Sequence, residues 1–323
     1  MSTSSADART LELTVTECTA LADGVVGLTF ENTDGGELPE WGPGAHVDFM
    51  LTDTLVRQYS LCSDPGDRKQ WKIGVLLEPD SRGGSAFVHR QLHVGSTVRA
   101  RGPRNLFPLQ PAEHYQFIAG GIGITPIIAM IQAADEQGSD WRLLYGGRRR
   151  ASMAFLDLLE SYGDRVTVWP EDECGLLDLD SVLGSPREGT LVYSCGPEGM
   201  LNAVEQACAT WPAGTLHIER FTTDPAATVT PDPDAVPFDV VCDRSGITVR
   251  ISPDDSILEV LRAKGVNVLS SCMSGICGTC ETPVLEGEPD HRDSVLDDED
   301  KAAGDCMMIC VSRSRSPQLV LDI

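Results

Sequence analysis

Four cysteines in the last fifty or so residues have the spacing of a metal site. Cys272, Cys277 and Cys280 follow one another as C-x4-C-x2-C, and 29 residues separate Cys280 from Cys310. This pattern is typical of a [2Fe–2S] cluster, in which each iron takes a tetrahedral set of sulfur ligands. Gly275, inside the loop, permits the unusual backbone angles needed to wrap three ligands around one cluster. The sequence therefore predicts these four thiolates as metal ligands.

Two alternatives compete with this assignment. Zinc also takes four cysteines, although zinc sites usually present two separate C-x2-C pairs. Cys306 lies four residues before Cys310 and is the other candidate for the fourth ligand. We assign Cys310 because its spacing and the Val-Ser-Arg-Ser that follows it favour it, and we expect Cys306 to be an ordinary buried cysteine. From about Phe238 to Ile323 the chain resembles the plant-type ferredoxins.

A second group of residues suits a flat, phosphorylated cofactor. Arg57, Tyr59 and Ser60 lie in Arg-Gln-Tyr-Ser-Leu, a short predicted strand in which alternate side chains point the same way, so Arg57 and Tyr59 share a face. Arg57 can bind phosphate oxygens in a bidentate manner. Tyr59 can cover an isoalloxazine ring or hold its ribityl chain, and the Ser60 hydroxyl can reach flavin N5. These residues predict a flavin site.

Further donors for the phosphate lie downstream of this strand. Gly83, Gly84 and Ser85 begin a predicted helix, and the first amides of a helix bind anions with the help of the helix dipole. We expect Ser85 to be the N-cap. Each pattern alone is common, but together, on a barrel that precedes a nucleotide-binding fold, they resemble the flavin domain of the ferredoxin-reductase superfamily.

A glycine-rich turn follows a buried strand in the middle of the chain. The strand Tyr-Gln-Phe-Ile-Ala runs into Gly120, Gly121 and Gly123, and Thr125 stands at the start of the next helix. Such a turn is where a dinucleotide phosphate binds, because glycine lets the backbone approach it closely. We expect Thr125 to donate a hydrogen bond to the pyrophosphate or the carboxamide. The turn predicts a nicotinamide dinucleotide site.

Three folded parts are needed to position these sites, so the predicted fold class is multidomain, α/β and β. Residues 9–108 contain six short strands separated by turns, which predicts an antiparallel flavin-binding β-barrel. In residues 109–223 strands and helices alternate, which predicts a doubly wound α/β nucleotide-binding domain. Residues 224–236 are rich in Pro, Asp and Thr and predict a linker. Residues 237–323 predict a small α+β domain of the β-grasp ferredoxin type.

Composition limits the partners and the compartment. The 323 residues carry a formal charge of −24, which disfavours nucleic acid because phosphate binding depends on Lys and Arg. No run of about 20 apolar residues and no basic, apolar leader is found, so we expect no membrane span and a cytoplasmic protein. In that reducing compartment, the eleven cysteines are expected to be thiols or metal ligands rather than disulfides.

The order of the three parts, flavin, nicotinamide and then ferredoxin, is similar to the phthalate dioxygenase reductase and vanillate demethylase reductase family over nearly the whole chain. The resemblance implies FMN, with FAD as the alternative, and NADH, with NADPH as the alternative. It implies that the electron acceptor is the oxygenase component of a Rieske non-haem iron system. A cytochrome P450 is the main alternative acceptor, and a flavin and iron–sulfur redox sensor is the alternative function.

The resemblance also implies roles for three further segments. Cys195, Gly196 and Pro197 look like the family's Cys-Gly-Pro motif, which implies that Cys195 lies beside nicotinamide C4 and shapes hydride transfer. Phe221 ends His-Ile-Glu-Arg-Phe, and its ring would lie over the flavin and make way for the nicotinamide. Arg148 follows Tyr-Gly-Gly, where the adenosine ribose should rest. Arg148, Arg149 and Arg150 could recognise the 2′-phosphate of NADPH, although arginine also occurs there in family members that use NADH.

Overall fold

The computed structural model describes residues 10–79, 81, 83–221 and 236–323. The chain divides into two compact units, the first ending at Arg220 and the second beginning at Phe221. The first unit contains both the barrel and the parallel sheet. Except for Val236, the predicted linker at 224–236 lies outside the described residues.

The first unit opens with six antiparallel strands in the order β4-β3-β6-β1-β2-β5. They are β1 (Thr10–Ala22), β2 (Val25–Asn32), β3 (His46–Met50), β4 (Val56–Ser60), β5 (Trp71–Leu76) and β6 (Thr97–Arg104). The two edge strands meet because the Cys62 N–H, just after β4, donates to the Lys72 carbonyl of β5 at 2.8 Å. Helix α1 (Gly84–Gln91) connects β5 to β6. Alternate side chains such as Val47 and Phe49 fill the interior, so the predicted barrel is confirmed.

The same unit continues as a five-stranded parallel sheet in the order β11-β10-β7-β8-β9. Its strands are β7 (His114–Gly120), β8 (Asp140–Gly147), β9 (Val166–Pro170), β10 (Thr190–Cys195) and β11 (Leu216–Glu219). Its helices are α2 (Ile124–Glu136), α3 (Leu156–Glu160), α4 (Glu171–Cys174), α5 (Asp180–Leu183) and α6 (Glu198–Ala207). Phe117 of β7 packs on one face with α2, whereas Ile118 packs on the other with α6. The doubly wound prediction is therefore confirmed.

Two local features of this sheet follow from its backbone. Helix α3 begins only at Leu156, since Phe155 before it takes a left-handed φ of 63°. The chain leaves β7 toward β8 on one side and later returns to β10 on the other. In doubly wound sheets, ligands bind at the carboxyl ends of the strands beside such a reversal of strand order.

The second unit is a mixed sheet in the order β13-β12-β18-β14-β16 with an added two-stranded ribbon, β15-β17. Its elements are β12 (Phe238–Cys242), β13 (Ile247–Ile251), α7 (Ile257–Ala263), β14 (Glu281–Glu286), β15 (Pro289–Asp290), α8 (Asp298–Ala303), β16 (Cys306–Met308), β17 (Arg313–Ser314) and β18 (Gln318–Leu321). Strand β18 lies parallel to β12, and α7 packs against their apolar face. This arrangement confirms the predicted α+β domain. No helix in the described ranges combines the length and the apolar character needed to cross a bilayer.

Candidate redox sites

The start of helix α1 packs directly on Arg57 of the barrel. A Cβ added to Gly84 would lie 2.5 Å from Arg57 Cγ and 2.6 Å from its Nε, so no larger residue fits there without displacing the arginine. The guanidinium donates to the Val56 carbonyl at 2.8 Å. A guanidinium beside the positive end of a helix makes a corner that favours an anion. The structure therefore brings together the two halves of the predicted phosphate site.

The N-cap prediction was wrong. Gly83, which has no side chain, occupies the cap position with a left-handed φ of 93°. Ser85 is already inside the helix. Its hydroxyl accepts the Glu78 N–H at 3.1 Å and donates to Ser81 at 3.0 Å. Ser85 therefore secures the segment that leads into the helix, and the Ser81 hydroxyl accepts the Ala86 N–H of the first turn at 3.4 Å.

Tyr59 shares the barrel's interior face with Arg57, because the strand register places them opposite Val47 and Phe49. Its ring lies 5.9 Å from the Phe49 ring. Burial raises the pKa of the Tyr59 phenol, although the charge of Arg57 opposes this, so the phenol stays neutral. Ser60 ends β4 and, by the alternation of the strand, lies on the opposite face from Tyr59. Its role at flavin N5 stays a prediction.

The two turns predicted to bind nicotinamide touch backbone to backbone. The turn Gly120–Gly123 follows β7, and Cys195–Pro197 lies at the end of the adjacent β10. A Cβ on Gly123 would lie 2.3 Å from the Cys195 carbonyl oxygen, and one on Gly196 would lie 3.0 Å from Gly120 Cα. Both turns occupy the reversal of strand order. The structure thus joins two motifs that lie about seventy residues apart in the sequence.

Thr125 marks the place where the parallel sheet meets the barrel. It is 2% exposed, and its methyl group would lie 3.0 Å from a Cβ on Gly74 of β5. Its hydroxyl donates to the Ile122 carbonyl at 3.0 Å. The Thr125 hydroxyl was expected to donate to the dinucleotide, but it already donates within the turn. Its oxygen can therefore act toward a ligand only as an acceptor.

Cys195 lies beside a carboxyl group that the sequence predictions missed. The strand register places Glu219 of β11 opposite Cys195, and the two side chains are 4.0 Å apart from Sγ to Oε2. Burial, and then the charge of Glu219, raises the pKa of the fully buried Cys195 thiol. Burial raises the pKa of Glu219 to about 8. At neutral pH, the end of β10 therefore carries a neutral thiol and a carboxyl group that holds its proton.

The remaining predicted residues lie at the margins of this unit or beyond it. Arg148 is exposed after β8, and its carbonyl accepts the Asp172 N–H at 3.3 Å. Nearby Arg150 is paired with Glu173 at 2.9 Å. Phe221 is 41% exposed and is the first residue of the second unit. The roles of Arg148 and Phe221 therefore stay predictions.

In the second unit, the four predicted thiols form one hydrogen-bonded group. Cys277 interacts with Cys272, and this contact together with burial raises the pKa of the Cys277 thiol. Cys310 interacts with both Cys272 and Cys280. The first contact lowers its pKa, whereas the second and burial raise it, to about 12 overall. Iron would replace the protons of these thiols, because metal ligands must be deprotonated.

The loop around these thiols directs amides at sulfur. The Ser274 N–H donates to Cys272 Sγ at 3.3 Å, and the Gly275 amide donates to Cys310. Gly275 is left-handed, with a φ of 69°, and so is Met273, with a φ of 62°. Such conformations are strained for a residue with a side chain and concentrate at functional sites. The loop is therefore built to present donors to an anionic sulfur cluster.

Cys306 stands apart from the thiol group. It is partly exposed rather than buried as expected. Burial raises the pKa of the Cys306 thiol, and the negative charges of Glu281 and Asp305 raise it further, to about 12. In the described ranges, no three His, Cys, Asp or Glu side chains are grouped as ligands of a single metal ion. A two-iron cluster differs from such a site, because it divides four thiolates between its two irons. None of the eleven cysteines forms a disulfide.

Two protein-family models match parts of the chain. Residues 240–315 match the 2Fe-2S iron–sulfur cluster binding domain, and residues 117–206 match the oxidoreductase NAD-binding domain. These ranges contain the thiol group and the paired turns. The family matches therefore agree with the cofactors predicted for each.

Longer similarities extend over most of the chain. Phenoxybenzoate dioxygenase subunit beta of Ectopseudomonas oleovorans is 45% identical over 288 residues, which is 88% of this chain and 89% of that protein. The structure of phthalate dioxygenase reductase, described as modular for electron transfer from pyridine nucleotides to [2Fe–2S], is 35% identical with a TM-score of 0.72 and covers 97% of this chain and 98% of its own. An intact type IV self-sufficient cytochrome P450 monooxygenase is 46% identical with a TM-score of 0.85. It covers 97% of this chain, which spans only 41% of that longer polypeptide.

Proposed function

Because the chain belongs to the family of flavin- and iron–sulfur-containing oxygenase reductases, we propose that its nicotinamide is NADH, its flavin is FMN and its acceptor is a Rieske-type oxygenase component. When bound, a flavin accepts two electrons as a hydride and releases them one at a time, which a [2Fe–2S] cluster requires. The observation that carries the proposal is the contact between the Gly120–Gly123 and Cys195–Pro197 turns beside the barrel strand that carries Gly74.

FMN is supported by the size of the phosphate corner. One guanidinium, on Arg57, and one helix start, at Gly84, converge there. A single terminal phosphate needs no more than this charge-assisted pair of contacts. FAD stays the alternative, since its pyrophosphate can use the same groups. Heat release of the flavin followed by chromatography distinguishes the two, and recovery of FAD would overturn this part of the proposal.

Cys195 and Glu219 are proposed to shape the hydride-transfer site rather than to act as nucleophiles. A neutral thiol at the end of β10 can pack against the nicotinamide ring without adding charge to the site. Glu219, with a pKa of about 8, can hold a proton at its carboxyl oxygen and donate a hydrogen bond. Such groups orient reacting atoms, which must approach within about 3–3.5 Å.

NADH is supported by an ion pair close to Arg148 in the chain. Of the arginines that follow β8, Arg150 is already paired with the Glu173 carboxylate at 2.9 Å. The Arg148 carbonyl accepts the backbone N–H of Asp172, which lies next to Glu173 in the sequence. A guanidinium paired with a carboxylate is less available to a 2′-phosphate, and a carboxylate beside the ribose can accept from a 2′-hydroxyl. These contacts favour NADH over NADPH.

The proposed acceptor follows from the relatives. Phenoxybenzoate dioxygenase subunit beta and phthalate dioxygenase reductase are named for dioxygenases, and this supports a Rieske-type oxygenase component. A cytochrome P450 is the second candidate, because a self-sufficient P450 contains a segment 46% identical to this chain. Neither nucleic acid nor a membrane is a proposed partner. The proposed compartment is the cytoplasm, which agrees with eleven cysteines that form no disulfide.

Steady-state reduction of cytochrome c with NADH and NADPH in parallel tests the activity. The purified, flavin-loaded chain should reduce cytochrome c rapidly and more efficiently with NADH. Slow turnover with both coenzymes would favour a redox sensor instead. A preference for NADPH would refute the proposed coenzyme and leave electron delivery intact.

A further inference from the structure

Asp293 is a buried carboxylate that none of the predicted sites uses. Its side chain is 0% exposed. One carboxylate oxygen accepts the Val295 N–H at 3.1 Å and the Leu296 N–H at 2.9 Å. The other accepts the Ser312 hydroxyl at 3.4 Å. A buried charge is costly to maintain, so this set of donors fixes Asp293 firmly in place.

The backbone beside Asp293 lies against the loop that carries the thiols. A Cβ on Gly275 would lie 3.1 Å from Asp293 Cα and 2.6 Å from the Val311 side chain. The Ser294 N–H donates to the Gly275 carbonyl at 3.0 Å. The Gly275 amide in turn donates to the Cys310 thiol. The Gly275 residue is therefore held from behind by the Asp293 segment while it faces the fourth ligand.

Ser312 connects the same carboxylate to the segment of the fourth ligand. It lies two residues after Cys310 and is 2% exposed. Its oxygen also accepts the Arg292 N–H at 3.2 Å. Asp293 thus joins two stretches of chain that carry predicted ligands, the loop at Gly275 and the stretch after Cys310.

We propose that Asp293 is a positioning residue for the cluster, which clamps Gly275 and Ser312 so that the Gly275 amide stays on the Cys310 sulfur. Hydrogen bonds to sulfur help set the reduction potential of an iron–sulfur cluster. They stabilise the reduced form more, because it carries one more negative charge. A loosened clamp should therefore make the cluster harder to reduce, although removal of a negative charge alone would make it easier to reduce.

Asp293→Ala and Asp293→Asn separate these two effects, because both remove the same charge. Asparagine keeps a carbonyl oxygen that can accept from the loop amides, whereas alanine keeps no acceptor. In the flavin-loaded chain, redox titration of the cluster should give the alanine variant the more negative midpoint potential. We expect about a tenfold difference in the one-electron equilibrium constant, which is 59 mV. Asp290→Asn is the control for charge on the same segment, since its side chain is 25% exposed and paired with Arg292.

The inference rests on the proposed cluster, so iron, sulfide and the EPR spectrum of the reduced wild-type chain are measured first. Absence of a [2Fe–2S] signal there would refute the cluster itself. If the wild type holds the cluster, equal potentials for the alanine and asparagine variants would overturn the positioning role. Should neither variant retain iron, Ser312→Ala decides, because it removes one hydroxyl from the clamp. A more negative potential in Ser312→Ala supports the role, and an unchanged potential overturns it.

Discussion

Replacement of Gly123 by alanine should separate the two turns of the nicotinamide site. Gly123 has an ordinary helical φ of −62°, so alanine is disfavoured there by space and not by backbone conformation. Its Cβ would lie 2.3 Å from the Cys195 carbonyl oxygen, where real contacts keep at least 3.0 Å. The turns must therefore move apart by at least about 0.7 Å, since backbone atoms cannot rotate away as a side chain can.

A displacement of this size should affect hydride transfer strongly. Misplacement of reacting groups by about 1 Å can cost about 100-fold in rate, and we expect a loss approaching that in the rate of flavin reduction by NADH. Anaerobic stopped-flow spectroscopy measures this step directly. Flavin and iron content should stay unchanged, because the phosphate corner and the thiols lie elsewhere.

Gly199→Ala is the matched control for this prediction. Gly199 lies in α6, close to the Cys195–Pro197 turn, and a Cβ there would meet nothing within 4 Å. Alanine should preserve the rate and stabilise the helix by about 0.5–1 kcal/mol. The steric argument is refuted if folded Gly123→Ala reduces its flavin as fast as the control.

Three further predictions concern the other groups. The folded chain holds the Glu219 proton more tightly than the unfolded chain, so the contribution of this group to stability is fully present below pH 4.5 and is lost as the pH rises through its folded pKa of about 8. Glu219→Gln should remove this loss, which is at most about 5 kcal/mol. Denaturant unfolding across that pH range measures the free energy of unfolding. The same pH dependence in the variant and the wild type would contradict the raised pKa. Arg57→Ala should weaken flavin binding about 10- to 100-fold, because a charge-assisted contact is lost, and flavin fluorescence measures the affinity. Arg99 is exposed and paired with Asp53, so the control variant Arg99→Ala should bind flavin normally. Equal affinity of the two variants would argue against the phosphate corner. Cys310→Ser should bleach most of the visible iron–sulfur absorption, whereas Cys306→Ser should not. The opposite result would identify Cys306 as the fourth ligand in place of Cys310.

Local sequence sufficed for features that short spacings control. The thiol spacing predicted the group that Cys272, Cys277, Cys280 and Cys310 form, because three of its members lie on one loop. The glycine turn at Gly120 follows from the requirement for close backbone approach between a strand and a helix. Short runs separated by turn residues predicted all six barrel strands.

Features that depend on strand pairing or burial escaped prediction. Glu219 became a candidate only when β11 was placed beside β10, since a lone glutamate at a strand end usually faces solvent. Asp293 likewise resembles any residue of an acidic stretch until Gly275 packs against it. Ser85 was mistaken for a cap because serine favours that position, whereas the left-handed Gly83 begins the helix two residues earlier.

The central claim is that electrons pass from NADH through a flavin to the [2Fe–2S] cluster within one polypeptide. Anaerobic mixing of the purified chain with NADH, followed by optical spectroscopy and freeze-quench EPR, tests this directly. The account predicts that flavin absorbance is lost first and that the EPR signal of a reduced [2Fe–2S] cluster then grows. A chain that reduces its flavin but leaves an intact cluster oxidised, or that contains zinc in place of iron, would contradict it.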